Sequence, residues 1–435
     1  MAETTNFAAD AGRIAALQRD IRSGALTASA LVERTLTRID AVDPAVQAWR
    51  VVLRDSARAE AAALDGEAKA RRWRGPLHGI PVAIKDVIDV AGQQTLANSK
   101  SRAGSAAATA DADIVALLRS AGAVILGKTH TTEFAFFDPS PARNPHNIGH
   151  TPGGSSSGSG AAVGAGMVPL ALGTQTVASV NRPAAYCGVA AFKPSTQSNC
   201  THGITPLSPT FDTVGFYGAT VPDAVALYDA VAPAFTAAFD GAAPSSIVQL
   251  DDPALTDCDG AILERIADAA RSFADAGYTV RKAASPEPWA ALFETQTRVM
   301  RYEASRIYRP LRDAAIGTKL RDMIDDGLTV SADTYRDDRR RLAAARAEFW
   351  AAFPNAAILF PAAPATAPAG LAWTGDPRYI SPWTALGGAI VTQPVGLHAN
   401  GLPIGMLVCG RPGADRALAR VAVTLSEALA RATKL

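Results

Sequence analysis

The segment GGSSSGSG at residues 153–160 consists only of glycine and serine, which is typical of a flexible linker but also of a loop that presents a nucleophile. A serine hydroxyl is a weak nucleophile unless a nearby base removes its proton. Lysine can be that base when burial keeps its amine neutral, and Lys85 ends the apolar stretch PVAIK. The segment is therefore either a linker or part of a serine-dependent active site.

The residues that follow the serines decide against a linker. Residues 161–195, AAVGAGMVPLALGTQTVASVNRPAAYCGVAAFKPS, are apolar and rich in small side chains, which is typical of a tightly packed helix and strand. A flexible spacer would not normally continue directly into a dense core. We therefore expect the glycine-serine block to be ordered.

Two short motifs match functional patterns by their letters alone. The segment GAVILGKT at 122–129 fits the phosphate-binding loop, but Ala-Val-Ile-Leu favours a strand and a helix is predicted before it, which is the wrong order. Lys128 is accordingly predicted to be a structural lysine. The segment VAIK at 82–85 fits a protein-kinase strand, but no glycine-rich loop precedes it and no HRD or DFG follows.

A third motif stays open as an alternative. GSSSG at 154–158 fits the nucleophile elbow of α/β-hydrolases, with Ser156 at its centre. An elbow follows a strand directly, whereas PARNPHNIGHTPG before it has the composition of a loop. An α/β-hydrolase also needs an acid and a histidine further along the chain; His202 and His398 are present, but no pattern marks either one.

The pattern around these segments predicts an α/β fold. Residues 8–70 show helical periodicity, GIPVAIKDVIDVAG is typical of a buried strand, and DADIVALLRSAGAVILGKT predicts a helix, a turn and a strand. Continuous apolar strands favour a central mixed, mostly parallel sheet covered by helices. Residues 284–350 predict a helical cap or insertion. No long linker is apparent, so residues 1–435 are predicted to form one large domain.

Composition limits the classes of partner and cofactor. The formal net charge of +1 predicts neither nucleic acid nor membrane as a partner. The four cysteines lack CxxC spacing and the six histidines lack the spacing of metal ligands, so we expect reduced thiols, no metal and no cofactor. The N-terminus has no visible secretory signal, and a cytoplasmic location is expected. A homodimer is one option for its assembly.

The chain resembles the amidase signature family of serine hydrolases from about residue 8 to its end. The resemblance is carried by LHGIPVAIKDVIDVAG, GAVILGKTHTTEFAF, NPHNIGHTPGGSSSGSGAAVGAG and VPLALGTQTVASVNRPAAYCGVAAFKPS, and also by TGDPRYISPWTALGG and GLPIGMLVCG near the C-terminus. The ordered spacing from the glycine-serine block to the later serine is a far more specific signal than the three short motifs.

The resemblance implies a Ser–cis-Ser–Lys triad made of Ser179, Ser155 and Lys85. It assigns Ser179 as the nucleophile, Ser155 as the proton relay and Lys85 as the base, with Ser156 in support through a hydrogen bond to Lys85. The oxyanion hole is expected from the backbone N–H groups of four successive residues. These are Thr176, Val177, Ala178 and Ser179.

The nucleophile segment departs from the family pattern. The usual sequence is approximately TDTGGSIRxPA, whereas this chain has TQTVASVNRPA. Gln175 replaces an acid, Asn181 stands where arginine or an apolar residue is usual, and Val177 and Ala178 replace smaller residues. A valine would be strained if its position required a positive φ.

The predicted function is hydrolysis of a carboxylic amide, or of a related aryl amide, ester or carbamate, through an acyl-enzyme on Ser179. The TGDP and TQT segments resemble the branch with broad-specificity amidases and urethane-cleaving hydrolases. Aromatic residues of the helical region suggest an apolar or aryl substrate, namely Trp289, Phe293, Tyr302 and Tyr308. The alternatives are an amidotransferase A subunit that delivers ammonia, an esterase that uses Ser156, and an inactive amidase-like binding protein.

Overall fold

The computed structural model describes residues 13–234 and 243–432. The α-helices of this part of the chain are α1 (Ile14–Ser23), α2 (Ala28–Val46), α3 (Arg54–Lys69), α4 (Asp113–Ser120), α5 (Ser157–Gly164), α6 (Asn181–Tyr186), α7 (Val221–Val231), α8 (Gly260–Asp275), α9 (Trp289–Tyr308), α10 (Thr318–Thr329), α11 (Ala332–Ala352), α12 (Ser381–Ala385) and α13 (Asp415–Ala432). The strands are β1 (Trp49–Val52), β2 (Pro81–Lys85), β3 (Val124–Thr129), β4 (Leu170–Gln175), β5 (Ala190–Lys193), β6 (Thr213–Gly218), β7 (Ser246–Asp251), β8 (Thr279–Ala284), β9 (Ala356–Pro361), β10 (Ile390–Leu397) and β11 (Pro403–Cys409).

These eleven strands form one mixed sheet in the order β1-β3-β2-β4-β6-β5-β10-β11-β9-β7-β8, which confirms the α/β prediction. The expectation that the sheet is mostly parallel is wrong. The pairs β2–β3, β2–β4, β7–β8 and β7–β9 are parallel, and the other six neighbouring pairs are antiparallel. Helices also cover the central antiparallel strands, so these strands are as continuously apolar as buried parallel strands. A run of apolar residues therefore cannot show whether a strand is parallel or antiparallel to its neighbours.

The helical regions lie close to where the sequence predicts them. Helices α1 to α3 occupy most of the N-terminal segment; its residues 8–12 lie outside the described part of the chain, and the four-residue strand β1 was not expected. Helices α9, α10 and α11 form the predicted insertion near 284–350. Within the described ranges, no helix combines the length and apolar character needed to cross a membrane.

The glycine-serine block is ordered, as its sequence context indicates. It leads into α5, in which every residue is buried. A Cβ on Gly158 would lie 2.3 Å from the carbonyl oxygen of Ala48 and 2.5 Å from the backbone nitrogen of His130. Glycine at this position therefore lets the helix approach the neighbouring backbone closely, and the linker alternative is excluded.

The segment that matches the phosphate-binding loop forms strand β3 after helix α4, so it cannot wrap a phosphate between a strand and a helix. Lys128 is fully buried within it, and its Nζ lies 2.8 Å from Asp86 Oδ1. Arg50 Nε lies 2.8 Å from the other oxygen of the same carboxylate. Lys128 thus has the structural role that its sequence context predicts.

Candidate active site

Lys85 is the last residue of β2, a central strand between β3 and β4, and it is completely buried. Its Nζ lies 2.7 Å from Ser155 Oγ and 2.8 Å from Thr174 Oγ1. Burial lowers the pKa of Lys85 well below its ordinary value, because the ammonium form would lose its hydration. The structure therefore places an amine whose neutral form is favoured by burial against a serine hydroxyl, which is the arrangement a general base requires.

Ser155 and Ser156 lie at the start of the loop-to-helix junction before α5, and the peptide bond between Gly154 and Ser155 is cis. The Ser156 hydroxyl accepts the N–H of Thr174 at 3.2 Å and donates to the carbonyl of Thr174 at 3.3 Å. The expected direct hydrogen bond from Ser156 to Lys85 is not made. Ser156 instead holds Thr174, and the hydroxyl of Thr174 contacts the lysine.

Ser179 lies in the turn between β4 and α6, with 7% of its surface exposed. The backbone N–H of Ser156 donates to the carbonyl of Ser179 at 3.2 Å, so the two serine-bearing loops lie side by side. The Tyr217 hydroxyl donates to the carbonyl of Val180 at 2.8 Å and fixes the same turn from β6. Two separate segments thus place Lys85 against Ser155, and a third brings the main chain of Ser179 next to the Ser155–Ser156 loop.

The departures in the nucleophile segment fit the structure. Neither Val177 nor Ala178 is among the described residues with a positive φ, so the valine causes no such strain. Gln175 Oε1 accepts the N–H groups of Val180 and Asn181, at 2.8 and 3.0 Å, which an aspartate could also do. Its Nε2 donates to the Thr384 hydroxyl at 3.0 Å, and a carboxylate has no such donor. Residues 176–180, which join β4 to α6 and carry the predicted nucleophile, are called the nucleophile turn below. Gln175 therefore adds a connection from this turn to α12.

Asp212 is a charged neighbour that the sequence did not indicate. It accepts hydrogen bonds from the Thr176 hydroxyl and from the N–H groups of Leu207 and Ser208. Burial raises the pKa of Asp212 to about 6. The negative charge of Asp212 raises the pKa of Lys85, but the lowering of that pKa by desolvation is larger. It stands just before β6 in PTFDTVG, a segment with no recognisable catalytic pattern, so only the tertiary structure reveals it.

Arg182 is a second residue that the sequence did not assign to the site. It is buried on α6, and its guanidinium donates to the carbonyl of Gly154 at 2.8 Å, to the Thr374 hydroxyl at 3.0 Å and to the carbonyl of Gly375 at 2.6 Å. Burial lowers the pKa of Arg182 to about 10, which leaves it charged at neutral pH. One cation therefore holds the Ser155 loop to the TGDP segment. The family pattern leaves the position of Arg182 unspecified, so no signal in the sequence indicates this role.

A cavity of about 410 Å³ opens beside the nucleophile turn and includes Val177 in its lining. Its other walls are largely aromatic or apolar, and four charged side chains complete them. The lining residues are Phe136, Phe137, Val177, Phe293, Thr297, Met300, Arg301, Lys319, Asp322, Met323, Asp326, Trp373 and Pro377.

Only part of the aromatic set expected around a substrate lies at this cavity. Phe293 lines it, whereas Trp289 and Tyr308 are buried in the core and Tyr302 stacks on Tyr335 with ring centroids 4.1 Å apart. Their helical spacing could not show which face of α9 points toward the cavity. Trp373, from the loop before α12, contributes a second aromatic wall.

The elbow alternative does not fit this geometry. Ser156 is fully buried, follows a loop and not a strand, and its hydroxyl is bonded to the main chain of Thr174. His202 is largely exposed and pairs with Asp113, not with the serine. Among residues 13–234 and 243–432, no three histidine, cysteine or acidic side chains are grouped to hold a metal ion.

Comparison with known proteins identifies the family of the chain. The family profile described as Amidase matches residues 30–419. The chain belongs to the amidase family. The A subunit of glutamyl-tRNA(Gln) amidotransferase from Symbiobacterium thermophilum is 31% identical over 94% of this chain and 95% of its own length.

Solved structures of amidases share the fold. The peptide amidase from Stenotrophomonas maltophilia superposes with a TM-score of 0.81 at 28% identity, over 95% of this chain and 96% of its own. A second structure, described as an amidase, superposes with a TM-score of 0.84 at 27% identity, over 96% of this chain and 99% of its own. The resemblance predicted from the sequence is confirmed, and the protein is an amidohydrolase of this family.

Proposed function

We propose that this amidase hydrolyses a carboxylic amide that carries an apolar or aryl group, through an acyl-enzyme on Ser179. The observation that carries the proposal is the fully buried amine of Lys85, 2.7 Å from Ser155 Oγ. The turn that carries Ser179 lies beside this pair and contributes Val177 to the wall of an aromatic cavity. A neutral lysine in this position is a base, and a charged lysine would not be.

In the proposed mechanism the Ser179 hydroxyl gives its proton to Ser155 Oγ while the Ser155 proton passes to Lys85 Nζ. Ser179 Oγ forms a bond to the carbonyl carbon, and the N–H groups of the turn from Thr176 to Ser179 stabilise the oxyanion. The C–N bond then breaks, and the proton returns from the lysine through Ser155 to the departing amine. Water repeats the same sequence on the acyl-enzyme and releases the carboxylic acid.

The cavity supports the choice of substrate. Phe136, Phe137, Phe293 and Trp373 offer ring surface to an apolar group, and such side chains contribute most of the binding energy in small-molecule pockets. An ester or carbamate places the same carbonyl in the same position, with a different leaving group. We therefore include both in the proposed substrate range, with the aryl amide first.

Hydrolysis of a substrate panel tests this proposal. Phenylacetamide, methyl phenylacetate and a phenyl carbamate should be turned over, with kcat/KM for phenylacetamide well above that for acetamide. Ser179→Ala and Lys85→Met should lose activity on every substrate, and Cys200→Ser, which changes a residue outside the site, should retain it. Equal rates for phenylacetamide and acetamide would contradict the aryl preference, and full activity of Ser179→Ala would contradict the nucleophile.

Ammonia delivery as an amidotransferase A subunit is the second candidate, and the full-length similarity to such a protein favours it. That activity uses glutamine as the amide donor, a small polar substrate that would leave the aromatic walls uncovered. Measured glutaminase activity above the phenylacetamide rate would support this candidate. Absence of any turnover, together with absence of labelling by a fluorophosphonate, would support the inactive binding protein.

A further inference from the structure

Two buried side chains, far along the chain from the triad, hold the carbonyl groups of the nucleophile turn. Gln296 on α9 is fully buried, and its Nε2 donates to the carbonyl of Thr176 at 2.9 Å. Thr384 on α12 is also fully buried, and its hydroxyl donates to the carbonyl of Val177 at 2.7 Å. Two successive carbonyls are therefore fixed from outside the turn.

These two donors are themselves fixed. Gln296 Oε1 accepts the Ser381 hydroxyl at 2.9 Å, which sets the orientation of the amide. The Thr384 hydroxyl accepts Gln175 Nε2 at 3.0 Å, so its own proton is directed to Val177. Ser381 and Thr384 both lie on α12, so the two hydrogen-bonded pairs connect α9 and the end of β4 through this helix.

Fixing a carbonyl also fixes the next N–H group. In a trans peptide the C=O and the following N–H point in opposite directions across a rigid plane. The bond to the Thr176 carbonyl therefore orients the Val177 N–H, and the bond to the Val177 carbonyl orients the Ala178 N–H. In the part of the chain that the structure describes, the N–H groups of Val177, Ala178 and Ser179 have no protein acceptor.

We propose that Gln296 and Thr384 are positioning residues that aim the N–H groups of Val177 and Ala178 at the oxyanion. The inference rests on the proposed function, since an oxyanion forms only if Ser179 attacks a carbonyl. Neither side chain lines the cavity, so both act through the turn and not on the substrate. They set the rate of the chemical step and leave the binding of the ground state unchanged.

Steady-state kinetics of phenylacetamide hydrolysis with Gln296→Met and Thr384→Val test this inference. Loss of one oxyanion donor costs ~10²–10³-fold in kcat in other hydrolases, and a donor that is only misdirected should cost about 10- to 100-fold. We expect that fall in kcat with KM within about twofold. The inhibition constant of an aryl trifluoromethyl ketone, which forms a tetrahedral adduct, should rise by the same factor as kcat falls.

Two further variants separate positioning from general damage. Thr384→Ser keeps the hydroxyl and should restore most of the rate that Thr384→Val loses, even if Gln296→Met fails to fold. Thr295→Val removes a buried hydroxyl that bonds within α9, to the carbonyl of Ala291 at 2.7 Å, and should leave kcat unchanged.

The possible results separate a failure of the positioning role from a failure of the proposed function. Wild-type turnover with unchanged kcat in Gln296→Met and Thr384→Val would overturn the positioning role alone. A rise in KM with kcat unchanged, or equal losses in Thr384→Ser and Thr384→Val, would also overturn it. An inactive wild type that a fluorophosphonate does not label would overturn the proposed function, and the inference with it.

Discussion

Trp373 provides the sharpest test of substrate choice. The Trp373 side chain lines the cavity and is 50% exposed. A bound aryl group can therefore cover the part of the ring that is exposed to solvent. An aromatic side chain offers about 150–250 Å² in all, which leaves ~100 Å² for the substrate to bury. At ~25 cal/mol per Å² this contributes about 2.5 kcal/mol, or roughly 60-fold in kcat/KM.

The assay compares Trp373→Ala with wild type on two amides. Phenylacetamide should lose about 60-fold in kcat/KM, while acetamide, which cannot reach the ring, should change by less than about threefold. Leu397→Ala is the matched control, because Leu397 is 49% exposed on β10 and does not line the cavity. An equal loss on both amides would show that Trp373 supports the fold of the site, and no loss on phenylacetamide would refute the cavity as the substrate site.

The remaining predictions concern charge. Lys85 must be neutral to act, so kcat/KM should fall as pH decreases through its pKa, which burial has lowered. Because the Asp212 charge raises the pKa of Lys85, Asp212→Asn should move that acid limb to lower pH, and a pH–rate profile that stays in place or moves upward would contradict the assignment. Lys128→Met should lower the free energy of unfolding by ~3 kcal/mol, because the buried Asp86 then keeps only Arg50 as an ion-pair partner. Urea denaturation measures this loss. The double variant with Asp86→Asn should recover part of it.

Local patterns were sufficient to predict the main elements that carry the triad. PVAIK has the length and composition of a buried strand, and it forms β2 with Lys85 at its end. The small residues after the serines predict close packing, and α5 is buried throughout. The family resemblance then supplied roles that spacing alone could not assign; Lys85 and Ser155 are in contact, and the roles stay predictions.

The parts that could not be predicted depend on contacts between distant segments. Gln296 and Thr384 reach the nucleophile turn from more than a hundred residues away, and no short motif indicates such a contact. Strand direction failed for a similar reason, because a buried strand is apolar whichever way it runs. Ser156 was expected to support Lys85 through a direct hydrogen bond. Its hydroxyl instead bonds the main chain of Thr174. The cytoplasmic location and the homodimer stay predictions.

The proposed mechanism depends on Ser179 as the nucleophile, and covalent labelling identifies the reactive serine. The protein is treated with a fluorophosphonate, its intact mass is measured, and the modified residue is located by peptide mass spectrometry. We expect one adduct on Ser179, absent from Ser179→Ala, strongly slowed in Lys85→Met and still present in Ser156→Ala. An adduct on Ser156 that survives in Ser179→Ala would contradict the proposed mechanism.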